Sequence, residues 1–401
     1  MKKGQYLFCY LFLVLFSLSS LRAADFGLIL DQNVDAGGFG NDSSFTYSSI
    51  LIPRFSAMFG DKADLFISAG FEASYNEKWV FVPELLRTEL TVYSGTFDFT
   101  FGRMYYCEPL GFIADGLFDG ARFFHHSEAG TFSFGVWYTG FLYKRRANIA
   151  MTPADLLEYS VPFEFNDFQN TYFAPRRLVA ALGWERAGGL LDARFSILGQ
   201  ADLRDDFNLQ GNNLLHSQYF IGQLSISGGL FGLDIGGAFG LVQNDGEFGM
   251  STAAELGIAL SPPTRVPNRF SFLARYTSGE TGTFTAFEPI TIVTQGEILG
   301  AKLSGLSTLT LDYFVRPHRT FAFGFESTYF IRTDFVTYMA YPGLNNSGNL
   351  LGNEFFAQLL WTPFSDMQIN LGGGVFLPSL GNAAPNAETS WRVELNVIMS
   401  L

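Results

Sequence analysis

Histidine side chains are the first candidates for catalysis or metal binding in this sequence. The four histidines are His125, His126, His216 and His318. His125 and His126 fall in a segment of strand-like alternation, where neighbouring side chains point to opposite faces, so these two cannot bind one metal ion together. Nucleophilic catalysis would need a serine or cysteine held beside a histidine by an orienting partner, and the sequence shows no such set. We predict that the chain is not an enzyme and binds no metal.

The glycine pattern gives no sign of a phosphate-binding loop. The one glycine triplet, at 372–374, lies within strand alternation and does not open a helix. Glycines in a strand allow neighbouring strands or aromatic rings to approach closely. We therefore predict no cofactor.

The composition excludes several classes of protein. Acidic residues outnumber basic ones by 38 to 25, which gives a net charge of −13 and argues against a nucleic-acid partner. Hydrophobic residues make up 48% of the chain, so it is not disordered. Only 16% of residues are charged while 17% are aromatic, so water-facing surface is scarce. After the first residues, no stretch of about 18 apolar residues occurs, which excludes membrane-spanning helices.

The first 23 residues have the parts of a secretory signal peptide. Lys2 and Lys3 give a basic start, residues 6–21 are apolar, and Ala23 and Ala24 provide small residues for cleavage. A membrane anchor is the alternative, but the apolar stretch is short for one. Residues 24–401 then form the mature domain. It keeps one cysteine, Cys107, and so cannot form an internal disulfide.

The rest of the chain alternates with a period of two residues. Large apolar residues occupy every second position in segments of about ten residues, as in 96–101, 131–138, 191–197 and 309–313. In a strand, this spacing puts the apolar groups on one face and the charges on the other. The pattern predicts an all-β protein.

Two features favour a membrane barrel over a soluble sandwich. Tight connections alternate with longer polar ones, the latter near 35–44, 108–119, 145–175, 203–215, 279–304, 334–351 and 378–389. Aromatic residues such as Tyr138, Trp184 and Trp361 fall near segment ends, where the two interfacial girdles of a barrel lie. We predict a transmembrane antiparallel up-and-down β-barrel of about 18 strands, within a range of roughly 16 to 20. The uncertain region is 279–304, where 290–293 could be an extra strand or part of a loop.

Ionisable residues lie opposite the apolar face of the predicted strands. An arginine facing lipid near the membrane midplane would cost about 2–4 kcal/mol, so these residues must point inward. An interior with this many charges of both signs cannot pack dry, and we expect a water-filled pore. The residues assigned to the interior are Arg54, Glu72, Arg87, Glu89, Asp98, Asp192, Arg194, Asp234, Glu255, Arg275, Asp312, Arg316, Glu326, Arg332, Arg392 and Glu394.

The C-terminal segment 390–401 resembles the closing strand of bacterial outer-membrane porins. Trp391, Val393, Leu395 and further alternate residues share one face up to the carboxylate. The last residue is Leu401, where porins have phenylalanine or tryptophan. The resemblance implies that outer-membrane assembly machinery reads this strand, and it implies a location in the cell outer membrane, contact with its lipid and a possible homotrimer.

The loop 108–119 resembles the third outer loop of general porins. That loop joins strands five and six, folds into the lumen, and sets its carboxylates against arginines of the wall. The apolar residues Phe112, Ile113, Leu117 and Phe118 need burial, which folding inward supplies. An external loop packed on its neighbours and a shifted strand boundary are the alternatives. Arg103 shares a face with Phe97, Phe99 and Phe101 unless a bulge redirects it.

These arguments give a set of pore-lining and constriction candidates. They are Arg54, Arg87, Glu89, Arg103, Glu108, Asp115, Asp119, Arg122, Asp192 and Arg194. Acidic residues are in slight excess among the candidates and the interior positions together, and carboxylates favour cations. We expect a porin-like channel for passive diffusion of small hydrophilic solutes or ions, with a mild preference for cations. The alternatives are a fatty-acid type transporter of hydrophobic substrates and a structural or adhesive barrel.

Overall fold

The computed structural model describes residues 21–40, 42–152, 155–156, 161–204, 214–244, 247–337 and 348–401. The predicted signal peptide, residues 1–23, lies almost entirely outside the described residues. No helix in the described part of the chain is long and apolar enough to cross a membrane.

Eighteen antiparallel strands form one closed barrel, which confirms the predicted fold class and strand number. Each strand pairs with its neighbours in the chain, and β13 pairs with β16 across a short separate hairpin formed by β14 and β15. The strands are β1 (Leu21–Phe39), β2 (Asp42–Phe59), β3 (Ala63–Asn76), β4 (Lys78–Ser94), β5 (Phe97–Cys107), β6 (Asp115–Ser127), β7 (Gly130–Tyr138), β8 (Arg177–Arg186), β9 (Leu191–Asp202), β10 (Leu215–Ser227), β11 (Phe231–Asn244), β12 (Glu247–Leu260), β13 (Asn268–Thr277), β14 (Thr294–Gln295), β15 (Ala301–Lys302), β16 (Leu306–His318), β17 (Phe321–Arg332), β18 (Leu350–Phe364), β19 (Met367–Leu377) and β20 (Ser390–Ser400).

The period of two residues assigns the two faces of each strand. In β7, Phe132 and Phe134 are 45% and 48% exposed on the outer face, while Trp137 is buried on the inner face. The same alternation runs along the neighbouring strands, because directly opposed residues of paired strands share a face. The outer face of the barrel is therefore apolar and rich in phenylalanine.

The first and last strands close the barrel. β1 pairs with β20 from Ile29 opposite Ser400 to Phe39 opposite Ser390. The last residue extends this ladder, since the Leu401 N–H donates to the Leu28 carbonyl at 2.7 Å and the Leu28 N–H donates to the Leu401 backbone oxygen at 2.9 Å. A closed sheet leaves no edge whose backbone groups would be unpaired in lipid.

The connections differ between the two ends of the barrel, here called the turn end and the loop end. At the turn end every connection is short, and the longest is 261–267. The loop end carries the long connections 139–176, 278–305 and 333–349. The predicted long loop at 35–44 is wrong, because β1 continues to Phe39 and β2 begins at Asp42. The small residues Gly37 and Gly38 look like loop composition but pair in register with Ser44 and Ser43.

The uncertain region 279–304 adds no strand to the wall. It enters the barrel and forms only the two-residue ladder of β14 and β15, paired through Thr294 with Lys302 and Gln295 with Ala301. The glycines on either side of its tip, Gly296 and Gly300, have φ values of +76° and +54°, which other residues rarely adopt. This segment, residues 294–302, is called the lumen hairpin below.

Adjacent residues of β20 provide a test of the two faces. Leu395 points outward and Asn396 points into the barrel, opposite Asn33. Replacing Leu395 with arginine should lower the free energy of unfolding by about 2–4 kcal/mol in lipid vesicles, whereas Asn396→Arg should cost less than about 1 kcal/mol, because only the first charge meets hydrocarbon. Denaturant titrations followed by tryptophan fluorescence measure both changes. Equal losses for the two variants would contradict the assignment of faces.

Candidate functional site: the lumen and its constriction

Six of the ten pore candidates lie on the inner face of the wall. The residues directly opposite them in the paired strands also face inward, and strand alternation turns their neighbours outward except beside Arg87, where a register shift interrupts the alternation. Arg87 donates to Glu89 at 2.5 Å, and its guanidinium lies 4.9 Å from the ring centre of Phe66. The six residues are Arg54, Arg87, Glu89, Arg122, Asp192 and Arg194.

Arg122 and Arg194 line one small cavity of the lumen, with a volume of about 250 Å³. Tyr106, Trp137 and Glu185 line the same cavity. The Arg122 guanidinium lies 4.3 Å from the Phe124 ring centre and 5.4 Å from that of Tyr106, so aromatic faces support this charge. Asp192 lies at the turn end, where its carboxylate accepts a hydrogen bond from the Gly188 N–H at 2.9 Å.

Arg103 and Asp119 do not face one another across the lumen as the porin resemblance implied. They are directly opposed in neighbouring strands, on the same face as Phe101 and Tyr138, which is the outer face. Their side chains form a bidentate pair, with Nε to Oδ1 at 2.9 Å and Nη2 to Oδ2 at 2.8 Å. Asp115 shares this face by alternation. The register of β5 and β6 places Arg103 directly opposite Asp119, so the two charges pair within the wall.

The loop between β5 and β6 folds into the lumen. Phe112, Ile113 and Ala114 are completely buried there. The tip crosses toward the opposite wall, since a Cβ atom on Gly236 of β11 would lie only 2.2 Å from a methyl carbon of Leu110. The backbone of Gly236 and the side chain of Leu110 therefore fit together only because position 236 is glycine.

Glu108 holds this loop together, is only 3% exposed, and belongs to the lining of the cavity beside Arg122 and Arg194. Its carboxylate accepts the backbone N–H groups of Leu110 at 2.6 Å, Phe112 at 2.8 Å and Ile113 at 2.9 Å. Burial raises the pKa of Glu108, and the three N–H donors act in the opposite direction. Because both carboxylate oxygens accept hydrogen bonds from the loop backbone, few acceptor positions remain for a hydrogen bond with a solute.

Three loops meet inside the barrel and form a dry core. The Ile113 carbonyl accepts N–H groups from Ile290 at 2.7 Å and Thr291 at 3.0 Å. On the other side of this segment, the Ala150 N–H donates to the Ile290 carbonyl at 2.8 Å. These residues are 0–1% exposed, as are Phe112, Ile149 and Phe287. Residues 110–114, 147–150 and 287–303 are called the loop core below.

The loop core covers one side of the inner wall and leaves the other uncovered. Several inward residues of β9 to β18 are buried beneath it, among them Leu198, Tyr219, Ala253 and Phe330. The inward residues of β20, β1, β2 and β3 are only partly buried and mostly polar. One row across these four strands reads Asn396, Asn33, Ser48 and Ser74. This inner surface is called the polar wall below, and it borders the open part of the lumen.

Arg392 of β20 ties the lumen hairpin to one side of the polar wall. Its guanidinium contacts the carboxylates of Asp35 and, at 3.1 Å, Glu394, and it donates to the backbone carbonyl of Glu297 at 2.6 Å. Glu354 of β18 holds the same hairpin by accepting the N–H groups of Glu297 at 2.6 Å and Leu299 at 2.9 Å.

Arg146 makes the corresponding attachment on the other side of the polar wall. This residue of the loop 139–176 contacts Glu72 of β3 at 2.8 Å and also Glu84 of β4. The gap between the Arg392 and Arg146 clusters, bounded by the polar wall and the loop core, is called the eyelet below. From β20 to β3 it spans three strand spacings, or roughly 14 Å.

The ion pairs at the eyelet carry more negative than positive charge. Five carboxylates, those of Asp35, Glu72, Glu84, Glu297 and Glu394, surround Arg146 and Arg392. Arg145 lines the adjacent cavity and adds a further positive charge. The sequence pattern identified Glu72, Arg392 and Glu394 as inward but missed the loop residues Arg146 and Glu297. In the sequence, these two residues are recognisable only as charged residues within long loops, which does not indicate where they point.

The described residues contain no group of three or more histidine, cysteine, aspartate or glutamate side chains placed to hold a metal ion. On the inner wall, the His126 ring contacts the Asp98 carboxylate at 2.8 Å.

No protein-family model matches this sequence, and no curated protein matches it either. Solved structures do match. The chain resembles Pseudomonas aeruginosa OccK2 (OpdF) with a TM-score of 0.66 and 11% identity, covering 95% of this chain and 98% of that one. This chain therefore shares the fold of these proteins, a closed antiparallel β-barrel of 18 strands. Pseudomonas aeruginosa OpdQ matches with a TM-score of 0.63, 9% identity and coverage of 95% and 99%. The outer membrane protein OprD of the same organism matches with a TM-score of 0.58 and 11% identity, covering 94% of both chains.

Proposed function

We propose that this porin-type barrel is an outer-membrane channel for the passive diffusion of small hydrophilic solutes and ions. The observation that carries the proposal is the polar wall, which faces the open part of the lumen and is not covered by the loop core. Partly exposed amide, hydroxyl and carboxylate groups on an inner surface are stable only when water reaches them. The similarity in fold to the outer membrane protein OprD supports the proposed location.

The lining of the eyelet argues against a hydrophobic substrate along the barrel axis. Asn33, Ser48 and Ser74 border the opening, whereas most of the large apolar side chains of the loop core are packed against one another, and those of Phe112, Ile113 and Ile290 are completely buried. A hydrophobic molecule that bound there would not remove its apolar surface from water, so the hydrophobic effect would not favour its binding. A purely structural barrel would have no need of a polar surface beside an opening of this width.

A mild preference for cations is part of the proposal. The excess of carboxylates over arginines at the eyelet sets the sign of the local potential, and rings of carboxylates favour cations. The preference is mild because both arginines lie within the same clusters.

The proposal places the protein in the bacterial outer membrane, exported by the signal peptide at 1–23. The outward phenylalanine residues suit contact with outer-membrane lipid, and the closing strand at 390–401 suits recognition by the assembly machinery. A homotrimer remains a prediction that derives from the porin resemblance.

Reversal potentials in planar bilayers test the charge preference. In a potassium chloride gradient, the wild-type channel should show a potential with the sign of cation permeation. Glu297→Gln combined with Glu394→Gln should reduce this potential, because it removes two eyelet carboxylates. Glu128→Gln, in an exposed turn at the turn end, is the matched control and should leave the potential unchanged. An anion-selective wild type would remove the charge preference from the proposal.

Adjacent serines of β2 test the position of the eyelet. Ser48 belongs to the polar wall, and Ser49 points to the outer face beside it. Ser48→Trp should lower the single-channel conductance and the size limit for sugars in liposome swelling, because the ring occupies part of the opening. Ser49→Trp should do neither, because its ring lies in lipid. Unchanged conductance in Ser48→Trp would show that solutes do not pass beside the polar wall.

A further inference from the structure

The edge of β4 that faces β5 is unpaired over more than half of its length. β4 pairs with β5 only over Thr88–Ser94, opposite Arg103–Phe97. The remainder of β4, from Lys78 to Arg87, pairs with β3 alone. β5 ends early, at Cys107, and turns into the lumen, so no described strand takes the other side of this edge. This opening between β4 and β5 is called the notch below.

The notch lies within the apolar outer band of the barrel. Outward residues of β4 along it include Trp79, Phe81 and Leu85, which are 54%, 61% and 44% exposed. Pro83 lies on the same edge, and a proline has no N–H that pairing would need. The edge is thus adapted to remain unpaired, and in a membrane it faces hydrocarbon.

Side chains, and not a neighbouring strand, satisfy the edge carbonyls identified at the notch. Arg103 donates to the carbonyl of Leu85 while it holds Asp119 in the bidentate pair. The Tyr172 hydroxyl donates to the Pro83 carbonyl at 3.3 Å. Arg103 is only 4% exposed, so this is a desolvated, charge-assisted junction.

A loop segment, residues 139–147, passes through the notch from the outer face to the lumen. On the outside, the Phe141 ring is 59% exposed and packs edge-on against the outward Tyr138 at 4.9 Å. Arg103 also donates to the Phe141 carbonyl, at 2.9 Å. Five residues later, Arg146 lies in the lumen with Glu72. The pair of Arg103 and Asp119 is therefore a latch that fixes this segment.

A cavity of about 360 Å³ lies on the lumen side of the same segment. Its lining is divided, with Val80, Val82 and Tyr143 on one side and charged or polar groups, including Arg145 and Ser74, on the other. Phe163 and Tyr172 extend the apolar side, with ring centres 5.8 Å apart. The cavity is at the lower end of the range for small-molecule pockets, which is roughly 300–1,000 Å³.

We propose that the notch is a lateral portal, closed in this structure by segment 139–147 and its latch, through which a single-chain amphiphile passes between the lumen and the surrounding membrane. The apolar side of the cavity takes the chain, and the charged side takes the polar head. A fully hydrophilic solute is excluded because the outer side of the notch is hydrocarbon, where unpaired polar groups are costly. The small cavity volume favours one chain over two.

The proposal rests on membrane insertion of the barrel but not on the axial pore. When segment 139–147 moves, the entering amphiphile makes contacts in the notch that replace those of the Phe141 and Tyr143 side chains. The wall need not break any strand ladder, because none exists between Lys78–Arg87 and β5. The latch thus sets how often the portal opens, and it is the element to change in a test.

Photo-crosslinking in proteoliposomes tests the portal. The probe is a zwitterionic single-chain amphiphile with a diazirine at the end of its alkyl chain, dissolved in the membrane. Wild-type protein should give crosslinks to the inward residues Val82 and Tyr143 as well as to outward Phe81. Asp119→Asn weakens the latch and should raise the yield at the inward residues by about tenfold, the usual worth of a hydrogen bond to a charged group.

Two further variants keep the test decisive. Tyr172→Phe removes only the hydroxyl that contacts Pro83, and it should raise the inward yield even if Asp119→Asn fails to fold. Glu128→Gln removes a carboxylate in an exposed turn at the turn end and should leave the yield at its wild-type level. Crosslinks confined to outward residues in the wild type and in both notch variants would overturn the portal.

Salt conductance recorded from the same preparations separates this proposal from the axial channel. Inward crosslinks without conductance would support the portal and contradict the proposed pore. Conductance without inward crosslinks would support the pore and overturn the portal.

Discussion

The pairing of backbone hydrogen bonds inside hydrocarbon is the constraint on which the rest of this structure depends. Lipid offers no partner for an exposed N–H or carbonyl group, so a spanning sheet must close on itself. The ladder between β1 and β20, extended to Leu28 and Leu401, completes that closure. At the notch, where a ladder is missing, Arg103, Tyr172 and the ring of Pro83 take its place. The charged pair of Arg103 and Asp119, whose arginine is only 4% exposed, therefore lies where the pairing of β4 with β5 ends.

The inside of the barrel must meet a second requirement, because polar groups there need either partners or water. The two halves of the lumen meet it differently. Over β9 to β18, three loops form a dry core whose backbone groups pair with one another, as between Ile113 and Ile290. Along the polar wall, short amide and hydroxyl side chains stay partly exposed. The ion-pair clusters of Arg146 and Arg392 attach the loops to the wall at the border between the two halves.

Much of the fold could be predicted from the sequence, because alternation is a local property. It determined the strand class, the number of strands and the inward position of residues such as Arg392 and Glu394. It failed for Arg103 and Asp119, since nothing local shows that two charges on the apolar face are opposed and shielded by Phe141. The contacts of Arg146 with Glu72 and of Glu297 with Arg392 join residues far apart in the chain. Loop residues carry no period from which such contacts could be read.

Thiol modification during single-channel recording tests the central claim, that water reaches the polar wall but not the wall beneath the loop core. Single cysteines replace Ser48 of the polar wall or Ser217, an inward residue of β10 that is 2% exposed, in a background without other cysteines. A charged methanethiosulfonate reagent should react with Ser48→Cys and reduce the current, and it should leave Ser217→Cys unchanged. Rapid block at position 217, or none at position 48, would contradict the account.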